Sequence, residues 1–429
     1  MRVLIKGGRI IDPSNGIDQP TDLLFEDGVI KEVGGSILSD GAEVIDATGL
    51  WVTPGLIDMH THLRDPGYKQ KETIATGSRA AAAGGFTTIC PMPNTSPVTD
   101  NEVVVEYILS RAHRHSLVNI LPIGAITKGS RGEELAEIGE MIGAGAVAIS
   151  DDGRWVHNPK LLWAAMESAK MLGVPVLSHC EDIQITGKGQ ITAGAHADFI
   201  GLEGIPPEAE EIAVARDIII ARVTGAHLHI CHISTAGAIE LLRAAKARGE
   251  KVTAEVCPHH FTLSVEEISG EDTNFKMSPP LREKSDIRVI KDALRDGTID
   301  VIATDHAPHH PDDKNCPFGL AQNGVVGLET ALPICITELV NPGVLTPAGL
   351  IAKLTCGPAK ILGIAGGNLS VGSRADITII DPVVEHTIDS GRFHSLGKNT
   401  PFNGRKVVGR AEYTIVGGKS ILVKGEIKC

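Results

Sequence analysis

The sequence predicts an α/β fold: a (β/α)8 TIM-like barrel with a small β-sandwich domain built from both chain ends. Three observations predict it. The middle of the chain alternates strand-like apolar runs with helical stretches, and eight such units fit within roughly 250 residues. The two ends read instead as short strands punctuated by Gly, Pro, Asn and Asp. Finally, His and Asp recur just past the ends of the middle strands, where a barrel collects its chemistry. The expected division is 1–52 and 366–429 for the two parts of the β domain and 53–365 for the barrel. A doubly wound open sheet fits less well, because no GxGxxG loop follows the first strand.

At 429 residues the chain can hold one large and one small domain. Its 48 glycines and 3% aromatics suit many tight turns between regular elements. The net charge of −13, with both signs interspersed, argues against nucleic acid or an anionic membrane as partner. A local arginine can still attract a small anion. The eight cysteines form no CxxC pair, which points to a reducing, cytoplasmic setting. No apolar run approaches the roughly 20 residues of a membrane span, and Gly7-Gly8 interrupts the start before a signal-peptide core could form.

Val3-Leu4-Ile5, Arg9-Ile10-Ile11, Asp22–Phe25 and Val29–Val33 are the expected strands of the leading end. Ala375–Ile380, Tyr413–Val416 and Ile421–Val423 are their counterparts at the trailing end. Between them, helices are expected over Glu72–Ala83, Asn101–Arg114, Leu161–Leu172, Ala209–Thr224, Ala236–Arg248 and Ser285–Arg295. Several run into a glycine, as helix C-termini prefer: Gly84, Gly173, Gly225 and Gly249.

The run Leu50–Ile57 reads as one buried strand leading into Asp58-Met59-His60-Thr61-His62-Leu63-Arg64. Residues two apart on a strand share a face, about 6.6 Å apart, so His60, His62 and Arg64 are expected side by side. Two imidazoles there can grip a transition metal, and Arg64 would meet an anion beside it. The fourth strand ends in Asp151-Asp152, which alternation cannot tell apart. The fifth ends in His179, the sixth in His232 and the eighth in Asp305. Imidazole plus carboxylate suits zinc, with Mn, Co or Fe as substitutes. Cys180 and Cys231 each sit one residue from a candidate histidine, so they are expected to face away as wall residues, and His227 and His229 are discounted likewise.

The stretch Asp58–Gly67 resembles the first signature of dihydroorotases in the amidohydrolase superfamily, and Thr304-Asp305-His306-Ala307-Pro308-His309, followed by Lys314, resembles the second. Met92-Pro93-Asn94-Thr95 and Gly327-Leu328-Glu329-Thr330 also match. The resemblance spans the whole chain and is closest to the bacterial type I enzymes. It implies that His60, His62 and Asp305 hold one zinc and His179 and His232 a second, with Asp152 as the bridging carboxylate. No lysine lies near that strand end to take the carbamylated role it has in many amidohydrolases, so one or two zinc ions are expected. Asp305 would be the catalytic acid–base. His62, Arg64, Asn94, Ser278, His309, Asn323 and Gly324 would contact substrate, with Ser278 standing where relatives often carry Asn.

The implied reaction is the reversible interconversion of N-carbamoyl-L-aspartate and (S)-dihydroorotate in pyrimidine synthesis. A homodimer and a complex with aspartate transcarbamoylase are the partner expectations. The competing readings are another cyclic amidohydrolase (dihydropyrimidinase, hydantoinase or allantoinase) and a non-catalytic subunit that scaffolds the transcarbamoylase. The loop His309–Gly319 is polar and Gly/Pro-punctuated, and reads either as a lid that closes over substrate or as an ordinary surface loop.

Overall fold

The computed structural model describes residues 1–428. Eight parallel strands make the barrel: Leu56–Thr61, Phe86–Pro91, a third in two pieces (Asn119–Ile120 and Gly124–Ala125), Ile149–Ser150, Val176–Ser178, Leu228–Ile230, Val252–Val256 and Val301–Ile302. The third strand pairs backwards through its first piece and forwards through its second. Pro122, which has no N–H to donate, sits between the pieces. The ring closes where Thr61 bridges His306 and the His62 N–H donates to the His306 carbonyl at 2.8 Å. Asp58 reinforces the seam: it accepts from the Thr304 N–H at 3.2 Å and from the Thr304 hydroxyl at 2.5 Å. The (β/α)8 expectation therefore holds.

Helices pack outside. Glu102–His115 starts at Asn101, whose side chain accepts from the Val104 N–H, a cap worth about 1 kcal/mol. Pro159–Leu172 and Glu208–Thr224 both stop at left-handed glycines, Gly173 (φ 72°) and Gly225 (φ 72°). At such a φ a Cβ would be strained, so glycine ends the helix at little cost.

Both ends build the small β domain. A four-stranded sheet runs in the order Val29–Gly34, Asp22–Glu26, Arg2–Lys6, Glu43–Asp46. A seven-stranded sheet joins strands from the two ends of the chain: Ile377–Thr387 pairs with Trp51–Pro54, which pairs with Arg9–Asp12. Val3, Leu23, Phe25, Val52, Ile377 and Ile415 are buried together in a cluster separate from the barrel core. One expectation fails here. Leu50–Ile57 is not a single strand: Trp51–Pro54 belongs to the β domain and Leu56–Thr61 to the barrel. Gly55 lies between them, and only glycine fits there, because a Cβ would lie 2.1 Å from the Thr87 hydroxyl oxygen.

Candidate metal centre and substrate cavity

The C-terminal ends of five barrel strands deliver six side chains to one place. His60 and His62 come from strand one, Asp152 from strand four, and His179, His232 and Asp305 from strands five, six and eight. They form two groups, His60–His62–Asp305 and Asp152–His179–His232. Asp152 faces both. Its Oδ2 lies 3.3 Å from His60 Nε2 and 3.5 Å from His62 Nε2. Its Oδ1 lies 3.3 Å from His232 Nε2 and 3.4 Å from His179 Nδ1. Asp151 is turned away, accepting from the Ile126 and Thr127 N–H groups at 2.8 and 3.0 Å.

The first group has firm support. His60 Nδ1–H donates to Glu255 at 2.5 Å, and His62 Nδ1–H donates to Asn94 Oδ1 at 2.9 Å. Both rings thereby point Nε2 lone pairs inward, as metal-binding histidines do. His62 Nε2 is 2.9 Å and His60 Nε2 is 3.5 Å from Asp305 Oδ1. In the second group, His179 Nδ1 and His232 Nε2 stand 2.9 Å apart. The outer nitrogens are poorly held: His179 Nε2 is 3.7 Å from Glu181, and His232 Nδ1 has no partner among the described residues.

This donor set fits a metal. Two nitrogens bound tetrahedrally to zinc at 2.0–2.1 Å would be about 3.3 Å apart, and the contacts within the two groups run from 2.9 to 3.5 Å. The buried His60 Nε2 has no properly directed hydrogen bond of its own. Electrostatics agree. Burial would neutralise Asp152 and Asp305, but the surrounding imidazoles hold both carboxyls well below the usual range. Burial also works against charge on His60 and His179. The carboxylates Asp152, Glu255 and Asp305 outweigh it at His60, and Asp152 and Glu181 lift His179 to about 10. Burial wins at His62, aided by the Arg64 charge, and pushes it down. Such a negatively biased cluster is suited to a divalent cation.

A cavity of about 480 Å³ opens above the centre, lined by His62, Asp152, His179, His232 and Asp305 on its floor and by Arg64, Asn94, Ser278, His309, Asn323 and Gly324 around its wall. All the sequence-predicted site residues except His60, which lies beneath, reach this cavity. A larger cavity of about 910 Å³ sits at the opposite end of the barrel around Lys353 and contains none of them. Arg64 arrives by a route the sequence did not indicate. The strand ends at Thr61 and Arg64 has φ 58°, so a turn rather than straight alternation aims it. Its Nε donates to the Pro308 carbonyl at 3.3 Å.

Ser278 donates its hydroxyl to Glu181 at 2.5 Å. His309 Nε2–H donates to the Asn323 carbonyl at 2.8 Å, and burial together with the Arg64 charge lowers its pKa to about 3. Gly324 (φ 130°) is required because a Cβ would lie 2.7 Å from that of Ala307. The loop after His309 carries a helical turn, Pro311–Lys314, pinned by the buried Lys314 amine donating to the Thr273, Lys276 and Gln322 carbonyls.

One wall assignment is overturned. Cys231 lies with His60 and Asp152 rather than facing away. Alternation stops because strand six ends at Ile230 and His232 turns to φ 33°, so neighbours 231 and 232 both face the centre. His229, discounted on the same ground, binds Glu255 at 3.2 Å and so supports His60 indirectly. Cys180 does face away, with its thiol 3.6 Å from Asp217. Sequence reasoning missed Glu255, Glu181 and Lys71. A carboxylate inside the apolar strand Val252–Val256 was the available signal for Glu255. Lys71 gave none; it reaches the cavity through the turn after Arg64 and pairs with Asp313 at 3.1 Å.

A barrel with a β-sandwich from both ends and a His/Asp cluster on the strand ends defines a metal-dependent amidohydrolase architecture. Solved structures agree: L-hydantoinase (dihydropyrimidinase) from Arthrobacter aurescens matches with a TM-score of 0.90 at 27% identity, covering 100% of this chain and 97% of that one. A D-hydantoinase crystal structure matches at 0.88 and 26%, covering 100% and 96%. The family model described as Dihydro-orotase-like matches residues 49–238. The dihydroorotase of Geobacter sp. (strain M21) is 53% identical over 99% of this chain and 100% of its own length, and that of Ruminiclostridium cellulolyticum is 50% identical over 99% of each. The chain belongs to the dihydroorotase family.

Proposed function

We propose that the chain is a zinc-dependent dihydroorotase that interconverts N-carbamoyl-L-aspartate and (S)-dihydroorotate in pyrimidine synthesis, with His60, His62, Asp152, His179, His232 and Asp305 as metal ligands. The observation that carries the site reading is Asp152, whose two oxygens face the two histidine groups at 3.3–3.5 Å. Zinc held there would supply an acidified water and polarise the amide carbonyl. The chain's own residues do the rest. Asp305, held ionised beside His62, takes the proton of the attacking water and delivers it to the departing ring nitrogen. Arg64 pairs with the substrate carboxylate. Asn94 uses its oxygen to hold His62, leaving its amide N–H groups for substrate. His309 keeps the Asn323–Gly324 backbone at the cavity wall, and Ser278 adds a hydroxyl fixed by Glu181.

Hydantoin and dihydropyrimidine rings carry no carboxylate for Arg64, so that residue separates the reading from its nearest rival. Arg64→Ala should lower kcat/KM for dihydroorotate by about 10²–10³-fold, the loss expected when a buried charge pair loses one partner, while zinc content stays unchanged. Unaltered turnover would assign Arg64 to structure and remove the basis for dihydroorotate specificity.

The small β domain (1–52 with 366–429) and barrel (53–365) are proposed as the units of the fold, with the strand Trp51–Pro54 carrying the first boundary on to residue 54; the apolar cluster around Phe25 and Ile377 supports the small unit, while Ile11, Trp51, Phe402 and Leu422 pack into the barrel's own cluster. A cytoplasmic home belongs to the same reading, and the seven described cysteines are free thiols. Among the described residues no helix is long and apolar enough to cross a membrane. A homodimer and an aspartate transcarbamoylase complex are the proposed partners, supported by the exposed Trp163, Ile219 and Val223 on neighbouring helices. Sizing the chain alone and with the transcarbamoylase, with activity assayed in each peak, tests both.

A further inference from the structure

One cluster of metal-ligating side chains shares no residue with the centre described above: Cys257, His259 and His260, each offering one ligand atom within 4.8 Å of the others. They follow barrel strand seven on the helical turn Pro258–Thr262, which Cys257 caps. The His260 N–H donates to the Cys257 carbonyl at 3.0 Å. A helical turn sets residues i and i+3 side by side, so Cys-x-x-His is a chelating spacing.

All three are buried, at 0%, 2% and 1% exposure. The imidazole centroids are 4.3 Å apart. His260 Nε2–H donates to the Pro279 carbonyl at 2.9 Å, which leaves a lone pair on Nδ1, and that buried nitrogen has no partner among the described residues. Buried His259 Nε2 has none either. Polar atoms this deep are normally satisfied. Two imidazole rings, each with a buried nitrogen that has no partner among the described residues, grouped with a thiol and with one ring backed by a carbonyl, match the donor chemistry of a metal site and the support that metal-bound histidines receive.

We propose that Cys257, His259 and His260 bind a further zinc ion, distinct from the centre at His60, Asp152 and Asp305. One thiolate with two imidazoles suits zinc, and the Cys257 thiol proton passes to solvent as the metal binds. The site's role is to brace the turn after strand seven against the Ser278-Pro279 stretch, which places Ser278 at the cavity.

The test is zinc-edge X-ray absorption and zinc content of the purified holoenzyme, of Cys257→Ser and of Cys231→Ser, the last removing the thiol near His60. These readouts do not depend on turnover, so they stand or fall separately from the dihydroorotase reading. The wild type should show zinc–sulfur scattering near about 2.3 Å. Cys231→Ser should keep it, and Cys257→Ser should lose it together with one zinc per chain. If Cys257→Ser fails to fold, retention of the signal in Cys231→Ser supports the site. Absence of sulfur scattering from the wild type, its loss with Cys231 alone, or an unchanged zinc count in Cys257→Ser overturns it.

Discussion

The two halves of the metal centre rest on different supports. His60 and His62 are each braced behind by a short hydrogen bond, to Glu255 at 2.5 Å and to Asn94 at 2.9 Å. His179 and His232 lean on each other at 2.9 Å, with Glu181 at 3.7 Å behind one and no hydrogen-bond partner among the described residues behind the other. A pre-oriented ligand loses less freedom when it binds. The difference teaches that, on the proposed ligand set, the His60–His62–Asp305 half would hold metal more tightly, whereas the second half would depend more on Asp152. That contrast bears on whether one or two zinc ions are retained.

The strongest blow to either half is Asp305→Asn, which removes the proposed proton carrier. We expect kcat to fall by about 10²–10⁴-fold, the range for loss of general acid–base catalysis, measured by dihydroorotate hydrolysis at saturating zinc. Next comes the support itself. Glu255→Gln should weaken the tighter zinc by about 10–100-fold in chelator competition, and Glu181→Gln should weaken the same zinc far less. Equal effects of the two would erase the contrast between the halves.

A pH-linked consequence follows from the charge balance. Carboxylates outweigh burial and raise both His60 and His179 in the metal-free protein, His179 to about 10. His179 therefore carries a proton at pH 7 that metal must displace. Calorimetry in buffers of different ionisation enthalpy should show proton release when the metal-free protein takes up zinc at pH 7. The release should shrink as pH rises through about 10, because the His179 ring is then already neutral. Smallest for catalysis is a cut in the β domain. Ile377→Ala, at a fully buried position between the sheets, should cost about 2–5 kcal/mol of stability and leave kcat unchanged.

Much of this architecture was legible in the chain. Apolar runs ending in His or Asp marked the barrel strands, and five of the six proposed ligands were named by position because a barrel must bring strand ends together; the choice of Asp152 over Asp151 came only from the family resemblance. The missing pieces share a physical cause. Strand periodicity holds only within the strand, so it could not foresee the turn at His232 that swings Cys231 inward, nor the positive φ that aims Arg64. It also read Leu50–Ile57 as continuous, since a lone Gly55 does not announce that the chain changes sheet there. Glu255 and Lys71 depend on contacts between distant segments, which no local pattern encodes.

The central claim is that six strand-end side chains converge to bind a catalytic divalent metal. Zinc titrated into metal-stripped protein, with dihydroorotate turnover followed at each addition, tests it most directly. The account predicts negligible turnover without metal and a rise that tracks filling of the tighter half first. Metal-stripped protein as active as the untreated enzyme would contradict it.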